Sequence, residues 1–136
     1  MDTDTIVAAM RSPGGASAAL LRAARQGRVT LVATAPLCIE YEAVCSRPVH
    51  ADAAGLSKAD LAAFLDGVVA MVEPTDAWFL WRPQLRDPGD ELVLEAAVNG
   101  RAEAIASFNA RDFLPAALRF GIAVLPPRDV LRRMTT

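Results

Sequence analysis

Histidine occurs once in this sequence, at His50, and cysteine twice, at Cys38 and Cys45. One histidine excludes a multi-histidine zinc centre within the chain and an intrachain His–His relay. The two cysteines fall in a stretch that reads as one helix, which separates them by about 10 Å along its axis, beyond the reach of a disulfide. They read as small core residues, and His50, just after Arg47-Pro48, as a solvated loop residue. Lysine is nearly absent: Lys58 stands alone, and the other cationic side chains are arginines. Arginine suits bidentate phosphate contacts, but GC-rich coding produces the same bias, and a net charge of −2 does not advertise nucleic-acid binding. Long apolar runs are missing too. Charges interrupt each one well short of the roughly 20 residues a membrane span needs, and no basic leader with a cleavage site opens the chain. A cytoplasmic protein with no membrane partner is expected.

What is present is apolar: 53% of the 136 residues, which argues against disorder and fits one domain, 1–136, with its own core. The chain opens with "MDTDTIVAAMRSPGG", two acids set hard against an apolar run. A carboxylate held near a low-dielectric interior needs a metal, a basic partner or water to compensate it.

Elements alternate along the chain. The spacing of "GASAALLRAARQG" (15–27) predicts a helix stopped by Gly27, and "RVTLVAT" (28–34) reads as a β-branched strand. "APLCIEYEAVCSRP" predicts a helix with Pro36 in its first turn, ending before Pro48. Residues 57–73 predict a third helix, with Ser57 and Asp60 as a capping box. "DAWFLWRPQL" is irregular and brings Trp78, Phe79 and Trp81 close together, as an interaction surface or as a roof over the core. The stretch 87–100 has Asp87 as cap, Pro88 in the first turn and Gly100 as terminator. "AEAIASF" (102–108) and "FGIAVL" (120–125) read as strands, and "PPRDVLRRM" as a closing helix. Strands alternating with helices imply an α/β fold with a parallel sheet.

Helix phase separates the acids. Leu37, Tyr41 and Val44 form an apolar stripe on which Glu40 also lies, whereas Glu42 points away. Val93, Leu94 and Ala97 form another stripe, with Asp90 at its start, where an acid can also serve as a first-turn cap. Glu91 and Glu95 read as solvated. Asp112 follows the strand at 102–108, and sites gather at the carboxyl ends of parallel strands. Hard oxygen ligands without His or Cys suit Mg²⁺ or Mn²⁺.

These segments together resemble the PIN-domain family of metal-dependent ribonucleases, in particular the bacterial toxin components of toxin–antitoxin systems (VapC-like). The likeness is carried by "DTDTIVAAMRSPGGAS", by "EYEAVCSRP", by "LWRPQLRDPGDELVLEAAVNGRAEAIASFNARDF" and by "GIAVLPPRDVL". The resemblance implies a three-layer α/β/α domain with a central parallel sheet of four or five strands. It implies catalytic acids at Asp2, Glu40, Asp90 and Asp112, of which Asp2, Asp90 and Asp112 would bind Mg²⁺ or Mn²⁺. Asp4, Ser107 and Asn109 would support them; Asp4 stands where the family usually has Asn, Ser107 where it has Thr, and Asn109 where many relatives have Asp. The implied activity is hydrolysis of RNA phosphodiesters, with a small antitoxin protein and a second copy of the chain as partners.

Only Met1 precedes Asp2, where the family carries an apolar strand. A central strand that is short, or that begins upstream, is therefore expected, with Asp2 and Asp4 on one side of its pleat and Thr3 on the other. Two other readings fit some of the same residues. "DTDT" satisfies the Asp-x-Asp-x-Thr nucleophile motif of haloacid dehalogenase-like phosphatases, for which Lys58 would have to reach phosphate. A catalytically silent PIN-like domain would only bind RNA or protein.

Overall fold

The computed structural model describes residues 1–78 and 84–134. Phe79 and Trp81 of the expected aromatic patch lie outside them, and Trp78 is 78% exposed.

The first apolar run is a helix. α1 spans Thr3–Arg11 with Asp2 at its N-cap position. The backbone oxygen of Asp2 accepts from the Thr5 hydroxyl at 2.6 Å and from the Thr5 N–H at 3.0 Å. Asp2 and Asp4 are therefore not pleat neighbours, as the strand reading expected. Asp2 precedes the helix and Asp4 sits in its first turn, where a carboxylate favours the positive end of the helix dipole. After the "SPGG" turn, α2 (Ala16–Arg25) leads to β1 (Leu31–Ala33). Thr34 caps α3 (Ala35–Cys45) by accepting from Leu37 N–H. Leu37, Tyr41 and Val44 are buried as their spacing required, and both cysteines are free thiols.

Pro48 starts a helix as well as ending the one before it. α4 (Pro48–Ala54) carries His50, which is thus not a loop residue, because Pro at the first helical position costs no hydrogen bond. Gly55, at φ +68°, ends α4 in the left-handed conformation that glycine adopts without strain. Ser57 caps α5 (Lys58–Met71). Its last expected residues instead form β2 (Val72–Pro74), parallel to β1 with Leu31 opposite Val72. α6 (Pro88–Asn99) begins at the Asp87 cap. Its end lies so close to β1 that a Cβ on Gly100 would stand 2.9 Å from the Val32 side chain. β3 (Ala104–Ala106), a 3₁₀ turn (Ala110–Asp112), α7 (Ala116–Arg119), β4 (Ala123–Leu125) and α8 (Pro127–Met134) complete the order, with β3 and β4 parallel.

The fold is α/β, but a continuous sheet of four or five strands is not formed among the described residues. There are two parallel pairs, β1–β2 and β3–β4. Residues 3–11 are helical, so this segment puts no strand between the pairs. A narrow apolar slot lies between the pairs, lined by Leu31 and Val32 of β1, Ala104 and Ile105 of β3, and Leu37 and Val93 from the helices. Met1 lines it as well. With α1 beginning at Thr3, one backbone hydrogen bond joins this entry to the strands: Asp2 N–H to Ala106 O at 2.8 Å. The Tyr41 hydroxyl donates to Met1 O and fixes the same entry from the α3 side. The core around it includes Ile6, Leu37, Val68, Val93, Ile105 and Phe113.

Candidate functional site

The end of β3 is stitched to the start of α1. Asp2, only 4% exposed, accepts from the Ser107 hydroxyl at 2.7 Å. Ser107 Oγ in turn accepts from Asn109 N–H at 2.9 Å, and Asn109 Nδ2 donates to Asp4 Oδ2 at 2.9 Å. Two acids from the N-terminus are thereby oriented by two polar residues that follow a strand. Burial pushes the Asp2 carboxyl up from its ordinary range, and the nearby Asp4 adds to the rise, while the Ser107 hydrogen bond opposes it.

α6 brings the next acids. Its N-terminal N–H groups at Gly89 and Asp90 donate to Asp87 Oδ1, at 2.7 and 3.3 Å. Asp90 is half-buried and its pKa is raised to about 7. Desolvation is the largest cause, followed by the negative charges of Asp2, Asp87, Asp112 and Asp4. No cation acts against the rise among these causes. Asp87, read from the sequence as a cap, is also a member of the acid group. Its phase relative to Asp90 gave no sign of this, because a capping role already accounts for it.

Glu40 approaches from α3. A Cβ placed on Gly89 would stand 3.0 Å from Asp87 Oδ1 and 3.3 Å from Glu40 Oε1, so the glycine is wedged between the two carboxyls. Asp112 arrives from the 3₁₀ turn, exposed, and lines a hollow of about 570 Å³ with Asp87 and Asp90. The structure thus joins Asp2, Asp4, Ser107 and Asn109 by hydrogen bonds, and Asp87, Asp90 and Asp112 in one hollow. Asp90 feels both sets electrostatically. Among the described residues, no three acids, cysteines or histidines stand close enough together to enclose an ion as they are. The donor set itself fits a hard divalent cation: carboxylate oxygens on facing elements, with mutual repulsion that an ion would relieve.

Glu91 and Glu95 correct the sequence reading. Both are 5% exposed, not solvated. Glu91 Oε1 accepts from the backbone N–H groups of Gln84 and Leu85, the latter at 2.6 Å, so it holds the chain that leads into α6. Its partners are main-chain groups, which leave no side-chain signature in a sequence. Lys58 begins α5 and lines the groove between α3 and α5, away from the acid hollow. The phosphatase reading therefore has no lysine beside Asp2 and Asp4.

Residues 1–111 match the family model described as the PIN domain. The chain belongs to the PIN-domain family. PIN domains are generally nucleases and typically use divalent metal ions. Asp2, Asp4, Glu40, Asp90, Ser107 and Asn109 of this PIN domain fall within the matched span, and Asp112 lies one residue beyond it. Neither a curated protein nor a solved structure matches the chain. Among the described residues of the PIN domain, no helix is long and apolar enough to cross a membrane.

Proposed function

We propose that this PIN domain, a single unit over residues 1–136, is a Mg²⁺- or Mn²⁺-dependent endoribonuclease that hydrolyses RNA phosphodiesters. The observation that carries the reading is Asp90. It is a half-buried carboxyl whose pKa is raised to about 7 by its surroundings, four other acids among them. Such a cluster is costly unless a cation completes it.

Asp2, Asp90 and Asp112 would hold the ion, and Glu40 would complete the acid set from α3. Bound there, a divalent ion would activate water and neutralise charge developing on the phosphate oxygens. The protein's own contribution is orientation. Ser107 holds the Asp2 carboxylate by its hydroxyl, Asn109 holds Asp4, and the Asp87 cap fixes the first turn on which Asp90 rides.

The protein is the toxin of a toxin–antitoxin pair in this reading, binding a small antitoxin protein and a second copy of itself. Exposed Trp78, and the apolar groove between α3 and α5 with exposed Ile39 and Val69, support such partners. An extended segment in the slot would join the two strand pairs into one central parallel sheet.

The test is cleavage of an end-labelled single-stranded RNA with Mg²⁺ or Mn²⁺ and with EDTA. Metal-stimulated cleavage, lost in Asp90→Asn without loss of fold, is expected. An Asp90→Asn protein that cuts like wild type would reduce Asp90 to a helix cap. RNA binding without cleavage in any divalent metal would favour the silent-domain reading.

A further inference from the structure

Arg86 and Arg111 each stand one residue ahead of an acid of the site. Arg86 precedes Asp87 on the approach to α6, and Arg111 precedes Asp112 on the 3₁₀ turn. Both are exposed and both line the hollow that holds Asp87, Asp90 and Asp112. Opposite charges in one hollow ordinarily close on each other. Here they do not: among the described residues neither Arg86 nor Arg111 forms an ion pair, whereas Arg128 and Arg132 reach Asp129 on α8.

The chain leading to Arg86 is fastened just before it, at Gln84 and Leu85. Glu91 holds the N–H groups of Gln84 and Leu85, and Arg119 Nη2 donates to Gln84 Oε1 at 3.1 Å. A fixed backbone with a guanidinium left unpaired beside it is a prepared contact point. Arg111, in the 3₁₀ turn, is a second guanidinium on the same acidic hollow.

We propose that Arg86 and Arg111 form a two-point clamp for the phosphodiester backbone of a single-stranded nucleic acid, drawing the strand across the hollow. The clamp rests on the nuclease reading for its purpose, but not for its test. A polyanion approaching several carboxylates needs counter-charge. A guanidinium supplies it with a planar fork that matches two phosphate oxygens at once. Contacts to phosphate position a strand without reading its bases.

The experiment is fluorescence anisotropy of a short labelled RNA with the whole chain in EDTA, between about 20 and 200 mM NaCl. Arg86→Gln and Arg111→Gln should each reduce the slope of log K against log salt by about 0.7, and the double variant by about twice that. The reduction should be the same for every base sequence and for a DNA of matching sequence. Arg28→Gln should leave the slope unchanged, because Arg28 lines a separate hollow with Arg101 and Arg133. Unchanged slopes in both hollow variants, a reduction matched by Arg28→Gln, or a loss confined to particular base sequences would each overturn the clamp. Binding is read without metal or cutting, so the two proposals fail separately. A wild type that cleaves RNA while both variants keep its slope removes the clamp alone. A wild type that never cleaves, with slopes falling as expected, removes the nuclease reading and keeps the clamp.

Discussion

The slot between β1 and β3 can be filled on purpose. Consider about five apolar, β-prone residues fused ahead of Met1, a typical strand length. The chain already enters in the right place, because Asp2 N–H reaches Ala106 O and Met1 lines the slot. Ordering five residues costs roughly 8–10 kcal/mol of backbone and side-chain freedom. Burying five apolar side chains between the helix layers returns about 10 kcal/mol, so these two contributions nearly cancel. What remains is the ladder. Three-residue edges on β1 and β3 allow about three further bonds, at about 1 kcal/mol net each. The expected gain is therefore about 3 kcal/mol, or roughly 10 °C in melting temperature for a chain of this size. A strand there would also hold the Asp2 carboxyl more firmly against Ser107, so Mn²⁺ should bind more tightly. Thermal melts and Mn²⁺ titration calorimetry on the two proteins measure both effects. An extended protein that melts no higher would show that the slot does not accept a strand. If it also binds Mn²⁺ no tighter, Asp2 is not a ligand.

Three further outcomes follow from the acid group. The folded pKa of Asp90 is raised to about 7, while the unfolded chain ionises near 4. The metal-free protein therefore loses stability as pH rises from about 4 to about 7. Asp90→Asn should escape this and be more stable than wild type by about 1–2 kcal/mol at pH 8, a discounted value because the half-buried carboxyl meets water. The difference should vanish near pH 4, and a pH-independent difference between the two melts would refute the cause assigned. Gly89→Ala gains helix propensity of about 1 kcal/mol but pushes a methyl between Glu40 and Asp87. Its melting temperature should stay within a few degrees while RNA cleavage falls at least tenfold, and retained cleavage would place Glu40 outside the site. Glu91→Gln weakens the charge-assisted hydrogen bonds to Gln84 and Leu85, costing about 1–2 kcal/mol. Hydrogen exchange at those two amides should accelerate more than at the core amides of α3.

Much of the fold was legible because its signals are local. Pro36, Pro88, Ser57 and Asp87 start helices through chemistry confined to a few residues, and the α2, α3, α5 and α6 boundaries fall close to where those residues put them. The N-terminal segment was not legible. "DTD" suits the end of a strand as well as the start of a helix, and partner strands decide between them. Here a single ladder bond is made at Asp2, so the intrahelical bonds win. The exchange of helix for strand at Val72 was hidden for the same reason, since its partner Leu31 is distant in sequence.

The site divides along the same line. Glu40 and Asp90 declare themselves because a carboxylate on an apolar helical stripe is a local anomaly, and both are half-buried at the start of α6 or against it. Asp87 and Glu91 do not, because capping or solvation explains an acid in a first turn well enough until tertiary contacts are seen. Helix phase went wrong for Glu91 and Glu95 in an instructive way. It assumes that a helix has a wet face, whereas Val93, Leu94, Ala96 and Ala97 are buried along with Glu91 and Glu95. α6 has packing nearly all round, and an acid on such a helix must find donors inside. Glu91 finds them in the chain leading to Arg86. A residue read as surface therefore holds in place the approach to the acid hollow, and through it one arm of the proposed clamp.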